Sequence, residues 1–336
     1  MMSNCLIGFT SGGRHCYLTW LLLAVVACAG SDVSPFRPVE PTSRPSYREG
    51  DILETSTGQR ITLNQLMERL RQQEVVYLGE EHHNRYHIEV ALRLLGQLTA
   101  EGRRPVLAME MFGWDGQSVL DQYVGSEELS RQEFLSRIAW LKNWGGPFED
   151  YEPLVVYARS QHLRLVALNP PKSLVRLVAK KGLAKARQET EWTTSALQDE
   201  TIVDDPAYRE KIIQQLRACH DGGPEELFQT MYEASMVRDE GMAKTIVSLV
   251  EALRHASENS GGPVVSYTGG GHIQYNLPVP KRVARRLDGS VRQISVYMTS
   301  FEKDRLDDLH EMVTGKIADF VWLTRVSAEG PPRRCR

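Results

Sequence analysis

The strongest constraint on this chain is a recurrence of short, continuously apolar runs, rich in β-branched residues and stopped by turn or polar residues. They lie at 75–79, 106–109, 163–168, 264–267, 291–297 and 317–323. Between most of them lie stretches with helical spacing, at 86–98, 153–161, 171–180 and a long one at 224–255. A strand that is apolar on both faces must be covered on both faces. Alternation of such strands with helices therefore predicts an α/β fold, a mostly parallel sheet with helices on both sides. The segment of about 172–238 is helical and poor in strand signals, and is expected to form a helical cap insertion. With 336 residues, 41% of them hydrophobic, the chain is long enough to bury a sizeable core. Forty basic residues against 43 acidic ones give no field that would make nucleic acid a partner.

The N-terminus reads as an export signal. Arg14 and His15 precede an apolar run from Tyr17 to Ala27 that is too short to span a bilayer and ends in small residues. Val25-Val26-Ala27-Cys28 has the form of a bacterial lipobox, which makes Cys28 the expected lipidated N-terminus of the mature protein. The expected organisation is a signal peptide at 1–27, a lipidated tether at 28–46, an α/β domain at 47–328 and a flexible tail at 329–336. The protein would then sit in the cell envelope, lipid-anchored, in the outer membrane facing the periplasm. Cleavage leaves Cys219 and Cys335 besides Cys28, too few for a disulfide framework, and these two are not expected to pair.

In an open parallel sheet, ligands bind beyond the carboxyl ends of the strands. Here the first run ends in Gly79-Glu80-Glu81-His82-His83, the second in Glu110, the third in Asn169-Pro170 and the fourth in Gly269-Gly270-Gly271-His272. Each such residue alone is as often a helix cap or a hydrogen-bonded structural group as a ligand. Their coincidence points to one polar pocket. Glu80, Glu110 and Arg238 are the candidate catalytic residues, with Arg238 placed to orient a carboxylate such as Glu80 or Glu110. If Asn84 caps the next helix, His83 and His87 stand four residues apart and share a face. His82, His272, Glu80, Glu81, His83 and His87 are then candidate ligands for a divalent metal such as zinc or manganese. The chain lacks a dinucleotide fingerprint and a phosphate loop with its Lys. After Pro278-Val279-Pro280, Lys281-Arg282 and Arg285-Arg286 start a basic helix, either a solvated face or a seat for propionates or phosphates.

Several of these motifs together resemble one family. Gly79-Glu80-x-His82 with His87, Glu110-Met111-Phe112, Leu168-Asn169, Arg238-Asp239-Glu240-x-Met242-Ala243, and Gly269-x-Gly271-His272 with Val279-Pro280 occur in the order found in the ChaN, or haem-binding uptake, family, over about 75–286. The resemblance implies an α/β outer-membrane lipoprotein of haem and iron uptake, with haem as cofactor, bound at a homodimer interface and ligated by tyrosine. Tyr275, Tyr232, Tyr208 and Tyr123 are the candidate tyrosines, with Lys281 and Arg282 as candidate propionate partners. The chain is also similar to the TIKI-like and erythromycin-esterase-like proteins, whose two Gly-x-x-His motifs and nearby Glu residues form a catalytic or metal site. From the commoner pattern it departs in Glu81 and Gly270. The resemblance therefore leaves two functions, haem binding and hydrolysis through the Glu/His pocket, beside a purely structural lipoprotein.

Overall fold

The computed structural model describes residues 46–125, 129–220, 222–256, 261–328 and 330. Cys28, the signal segment, nearly all of the tether and most of the tail lie outside the described residues. In chain order the elements are β1 (Ile52–Glu54), β2 (Gln59–Ile61), α1 (Leu63–Leu70), β3 (Val75–Glu80), α2 (Arg85–Ala100), β4 (Arg104–Gly113), α3 (Gln117–Gly125), α4 (Arg131–Arg137), α5 (Trp140–Asn143), α6 (Glu152–Ser160) and β5 (Leu165–Asn169). There follow α7 (Lys172–Lys181), α8 (Leu183–Ala186), α9 (Thr190–Thr193), α10 (Pro206–Cys219), α11 (Glu225–His255), β6 (Gly261–Gly269), α12 (Val279–Arg286), β7 (Gln293–Ser300), α13 (Leu306–Thr314) and β8 (Phe320–Thr324). Short 3₁₀ turns punctuate the connections.

One eight-stranded sheet runs in the order β2-β1-β8-β7-β3-β6-β4-β5. From β8 to β5 all neighbours are parallel, while β1 is antiparallel to both β8 and β2. The apolar strands alternate between two cores. Val76 and Leu78 of β3, with Leu107 and Met109 of β4, meet Leu94, Leu95 and Leu98 of α2 on one face. Val75, Tyr77, Val106 and Ala108 meet Met242, Ile246 and Val283 of α11 and α12 on the other. Each such buried aliphatic side chain contributes roughly 1.5–3 kcal/mol, which is why runs apolar at every position are stable only in a sheet covered on both sides.

Local caps set where helices start. The Asn84 side chain accepts from the Tyr86 N–H, and Thr62 and Ser130 form reciprocal capping boxes with Gln65 and Glu133. Between β5 and β6 the described residues contain no strand. There α7–α10 and the first half of α11 enclose two small clusters, one around Leu174, Val178 and Trp192, the other around Tyr208, Phe228 and Tyr232. Position 238, the expected end of a cap, falls inside the 31-residue α11. That helix starts among the cap residues and ends against the sheet, so cap and sheet share one rigid rod. Cys219 is disulfide-bonded, to a cysteine outside the described residues. The other four cysteines lie outside the described residues.

Candidate functional site

The register of β3, β6 and β4 builds the site. Glu80 pairs with Gly269 across β3 and β6, and Met109, one residue before Glu110, pairs with Tyr267 across β4 and β6. Parallel neighbours thus bring Glu80, Glu110 and the turn leading to His272 to one edge. Gly269 is needed for the close approach: a Cβ there would stand 2.7 Å from Cε1 of His82 and 3.5 Å from Oε2 of Glu110.

Two buried carboxylates occupy this edge in different surroundings. Glu80 accepts hydrogen bonds from Tyr151 (3.0 Å) and Tyr267 (2.7 Å), and from Nδ1 of His82 (2.8 Å). Burial pushes its carboxyl up, and the bonds from His82 and the phenols only partly offset this, so it stays above its ordinary value. Glu110 accepts from the Gly269 N–H at 2.7 Å, pairs with the Arg238 guanidinium, and lies 3.3 Å from Nε2 of His272. Burial alone would raise this carboxyl too, but the charges of His272 and Arg238 hold it well below the usual range. Asn169 steadies the pair, donating to the Glu110 carbonyl (2.7 Å) and accepting from Nε of Arg238 (3.3 Å).

The histidines follow their partners. His272 donates through Nδ1 to Asp239 at 2.6 Å, and Asp239 in turn accepts from Tyr208 at 2.5 Å. Burial would lower the imidazolium, but Glu110 and then Asp239 outweigh both burial and the repulsion of Arg238, and raise it to about 9. His82 is likewise raised: burial opposes its charge, and Glu80 and Glu110 win. Trp144 meets the His82 ring edge-on at 5.0 Å. Beside these groups opens a cavity of about 250 Å³ whose lining includes Glu110, Trp144, Asn169 and Arg238.

Other expected ligands are elsewhere. His83 does not enter α2. Its φ of +65° places it before the helix, where Nδ1 contacts Asp150 at 2.6 Å. His87 is buried and accepts from the Glu81 N–H at 3.0 Å. The Glu81 carboxylate turns to β7, accepting from Thr299 and from the backbone and hydroxyl of Ser300. The expected sharing of a face by His83 and His87 is therefore corrected. Among the described residues no three His, Cys, Asp or Glu side chains are arranged to hold a metal ion.

The tyrosines separate by access. Tyr208 and Tyr232 are buried and donate to Asp239 and Asp204, and burial first of all raises both phenols. Tyr123 is buried and stacked on Phe134 at 4.1 Å. Tyr275 is only half-buried, in a left-handed turn at φ +56°, with Nζ of Lys211 4.5 Å from its ring centroid. Lys281 pairs with Asp205. Arg282 is buried, donates to the Pro278 carbonyl, lies over the Tyr208 ring and faces Glu240 at 3.3 Å. It is thus placed to support the interior and not to reach a propionate at the surface.

Comparison with known proteins accords with this arrangement. The model of the family described as haem-binding uptake, Tiki superfamily, ChaN matches residues 66–283. The chain belongs to this family. Among solved structures, one described as cofacial heme binding to ChaN of Campylobacter jejuni has the same fold, with a TM-score of 0.60 and 18% identity over 82% of this chain and 96% of that one. An erythromycin esterase mutant, EreC, in its open conformation gives a TM-score of 0.43 and 16% identity, over 75% of this chain and 76% of that one. A curated relative, the chloroplastic Protein RETICULATA-RELATED 5 of Arabidopsis thaliana, is 24% identical over 76% of this chain. The chain spans only about a third of that protein's length, 34%.

In this ChaN-family chain, sequence reasoning missed the groups that tune the cluster: Tyr151, Tyr267, Tyr208 and the role of Asp239. Tyr267 carried a signal, as the last apolar residue before the triple glycine. Tyr151 carried none, because nothing local marks a helix-start tyrosine as the partner of a strand 71 positions earlier.

Proposed function

We propose that this protein is a haem-binding lipoprotein of bacterial haem or iron uptake, anchored in the envelope through Cys28. In this reading Tyr275 ligates ferric haem as tyrosinate at a homodimer interface. Family membership supports the haem, and one observation carries the choice of ligand: of the four candidate tyrosines, Tyr275 alone is not buried. The cavity beside Glu110, at about 250 Å³, is smaller than the ~300–1,000 Å³ usual for ligand sites, so haem is not seated there whole. Ferric haem added to the protein should give a Soret band with a high-spin charge-transfer feature, lost in Tyr275→Phe and kept in Tyr232→Phe. A low-spin bis-histidine spectrum, or an unchanged spectrum in Tyr275→Phe, overturns the assignment. The anchor is tested separately: Cys28→Ser should release the protein from the membrane fraction, and wild type found wholly soluble refutes it.

A second reading, hydrolysis of an ester or amide, is favoured by the opposite shifts of the two buried carboxyls, Glu80 upward and Glu110 downward, the usual mark of an acid–base site. Glu80 orients His82 through Nδ1, leaving Nε2 to take a proton from an attacking water. The protonated His272 and Arg238 would stabilise the developing oxyanion, and as it collapses the leaving group would take the proton that His82 removed from the water. Turnover of an aryl acetate that survives His82→Asn and Glu110→Gln together refutes this reading.

A further inference from the structure

The cavity next to Glu110 has a second wall that neither reading uses. Lys172 and Arg176, one turn apart on α7, line it together with Arg238. Arg238 is occupied by Glu110, and Lys172 donates only to the Lys142 carbonyl, at 3.2 Å. Arg176 is exposed and has no hydrogen bond or ion pair among the described residues. Of acids, the lining offers Glu110 and Asp115 against the three cations. The crowding registers on Lys172: burial and then the charges of Arg176 and Arg238 hold its ammonium below the ordinary value. The first turn of α7 has no side-chain cap, so its free amides add positive potential of the same sign. Met111, Val175 and Trp144 supply apolar surface, and the Trp144 indole N–H has no acceptor among the described residues.

We propose that this cavity binds a small organic anion, a carboxylate or phosphate group on a compact, partly apolar body, with Lys172 and Arg176 gripping the anionic end. Arg176 is the recognition group, because a guanidinium matches a two-oxygen anion and this one has no other partner. The body lies against Trp144 and Val175, which brings the rest of the ligand to Glu110 and His272. The anionic group has two sources, a free metabolite or a propionate of haem, and Tyr275 is not among the residues that line the cavity.

Calorimetric titration of the full chain with benzoate and with inorganic phosphate tests it, beside the Lys172→Gln/Arg176→Gln double variant. Arg176→Lys serves as the conservative control, and thermal melts confirm that each variant is folded. At least one probe should bind wild type saturably, weaken tenfold or more in the double variant, and be partly recovered in Arg176→Lys. Haem and its dimethyl ester separate the sources. A double variant that weakens haem but not the ester assigns the site to a propionate, and one that leaves both unchanged assigns it to a free anion. If neither probe binds wild type, or if both bind the double variant equally well, the proposal is wrong. Because Tyr275 is untouched, that failure leaves the tyrosinate spectrum intact and is distinguishable from failure of the haem assignment.

Discussion

Replacing Glu110 by Gln keeps the shape of the side chain and removes the charge that does most to hold His272 protonated. In the folded protein the imidazolium rises from its ordinary 6.5 to about 9: burial opposes the charge, and Glu110 and Asp239 overcome it. At about 1.4 kcal/mol per tenfold change in proton affinity, this corresponds to about 3 kcal/mol, which belongs to the coupled Glu110–His272 pair. The sign follows from the direction. A group whose folded pKa is raised holds its proton more tightly when folded, so its stabilisation is complete below pH 6.5 and drains away as pH rises through 9. Wild type should therefore lose up to about 3 kcal/mol between pH 6.5 and 9 in denaturant unfolding, and Glu110→Gln less than about half of that. Histidine NMR should show His272 still protonated at pH 7.5 in wild type and titrating lower in Glu110→Gln. Parallel stability curves for the two proteins, or a wild-type His272 that titrates below 7, would refute the reasoning.

Three further substitutions read the same cluster. Gly269→Ala drives a Cβ into the His82 ring and should cost about 1–3 kcal/mol, read as a lowered unfolding midpoint with an unchanged circular-dichroism spectrum. Arg238→Gln leaves Glu110 buried with one cation fewer and should cost about 2–3 kcal/mol, partly restored in Arg238→Lys. Glu80→Gln should cost less than about 1 kcal/mol near neutral pH, because its hydrogen bonds come from phenols and one imidazole and burial already raises its carboxyl, so the charge it loses is poorly compensated. A larger loss for Glu80→Gln than for Glu110→Gln contradicts the assignment of the two carboxyls.

The positions of Glu80, His82, Glu110 and His272 were legible because polar residues at the ends of doubly buried strands are anomalies, and a parallel sheet collects all such ends on one edge. That Arg238 meets a strand-end carboxylate, Glu80 or Glu110, was legible for a related reason: the charged residues 238–240 interrupt the amphipathic pattern of α11, and the structure gives Glu110 as the partner. His83 and His87 misled because the four-residue rule holds only inside a helix, and the left-handed turn at His83 removes it from α2. Glu81 misled because successive residues at a strand end face opposite ways, so Glu80 at the pocket sends Glu81 to β7. Arg282 read as a surface cation because helix periodicity gives its face but not what covers that face. Glu240, buried under Arg282, Arg285 and Arg286, draws it inward.

Glu80 and Glu110 are buried alike, so burial cannot be what separates them. The phenols of Tyr151 and Tyr267 give Glu80 hydrogen bonds without charge, and a neutral donor only partly repays the desolvation of an anion. Arg238 and His272 give Glu110 full charges in a low-dielectric pocket, where a nearby cation outweighs the same desolvation. One edge of the sheet thus holds a carboxyl biased towards its proton and a carboxylate biased against one, each beside a histidine whose Nδ1 is held by an acid. A metal ion bound between them would pull both carboxyls down together and strip His272 of the proton that helps hold Glu110 ionised. The arrangement is stable because its charges are compensated from within, and it is suited to moving a proton or seating an anion beside Arg238.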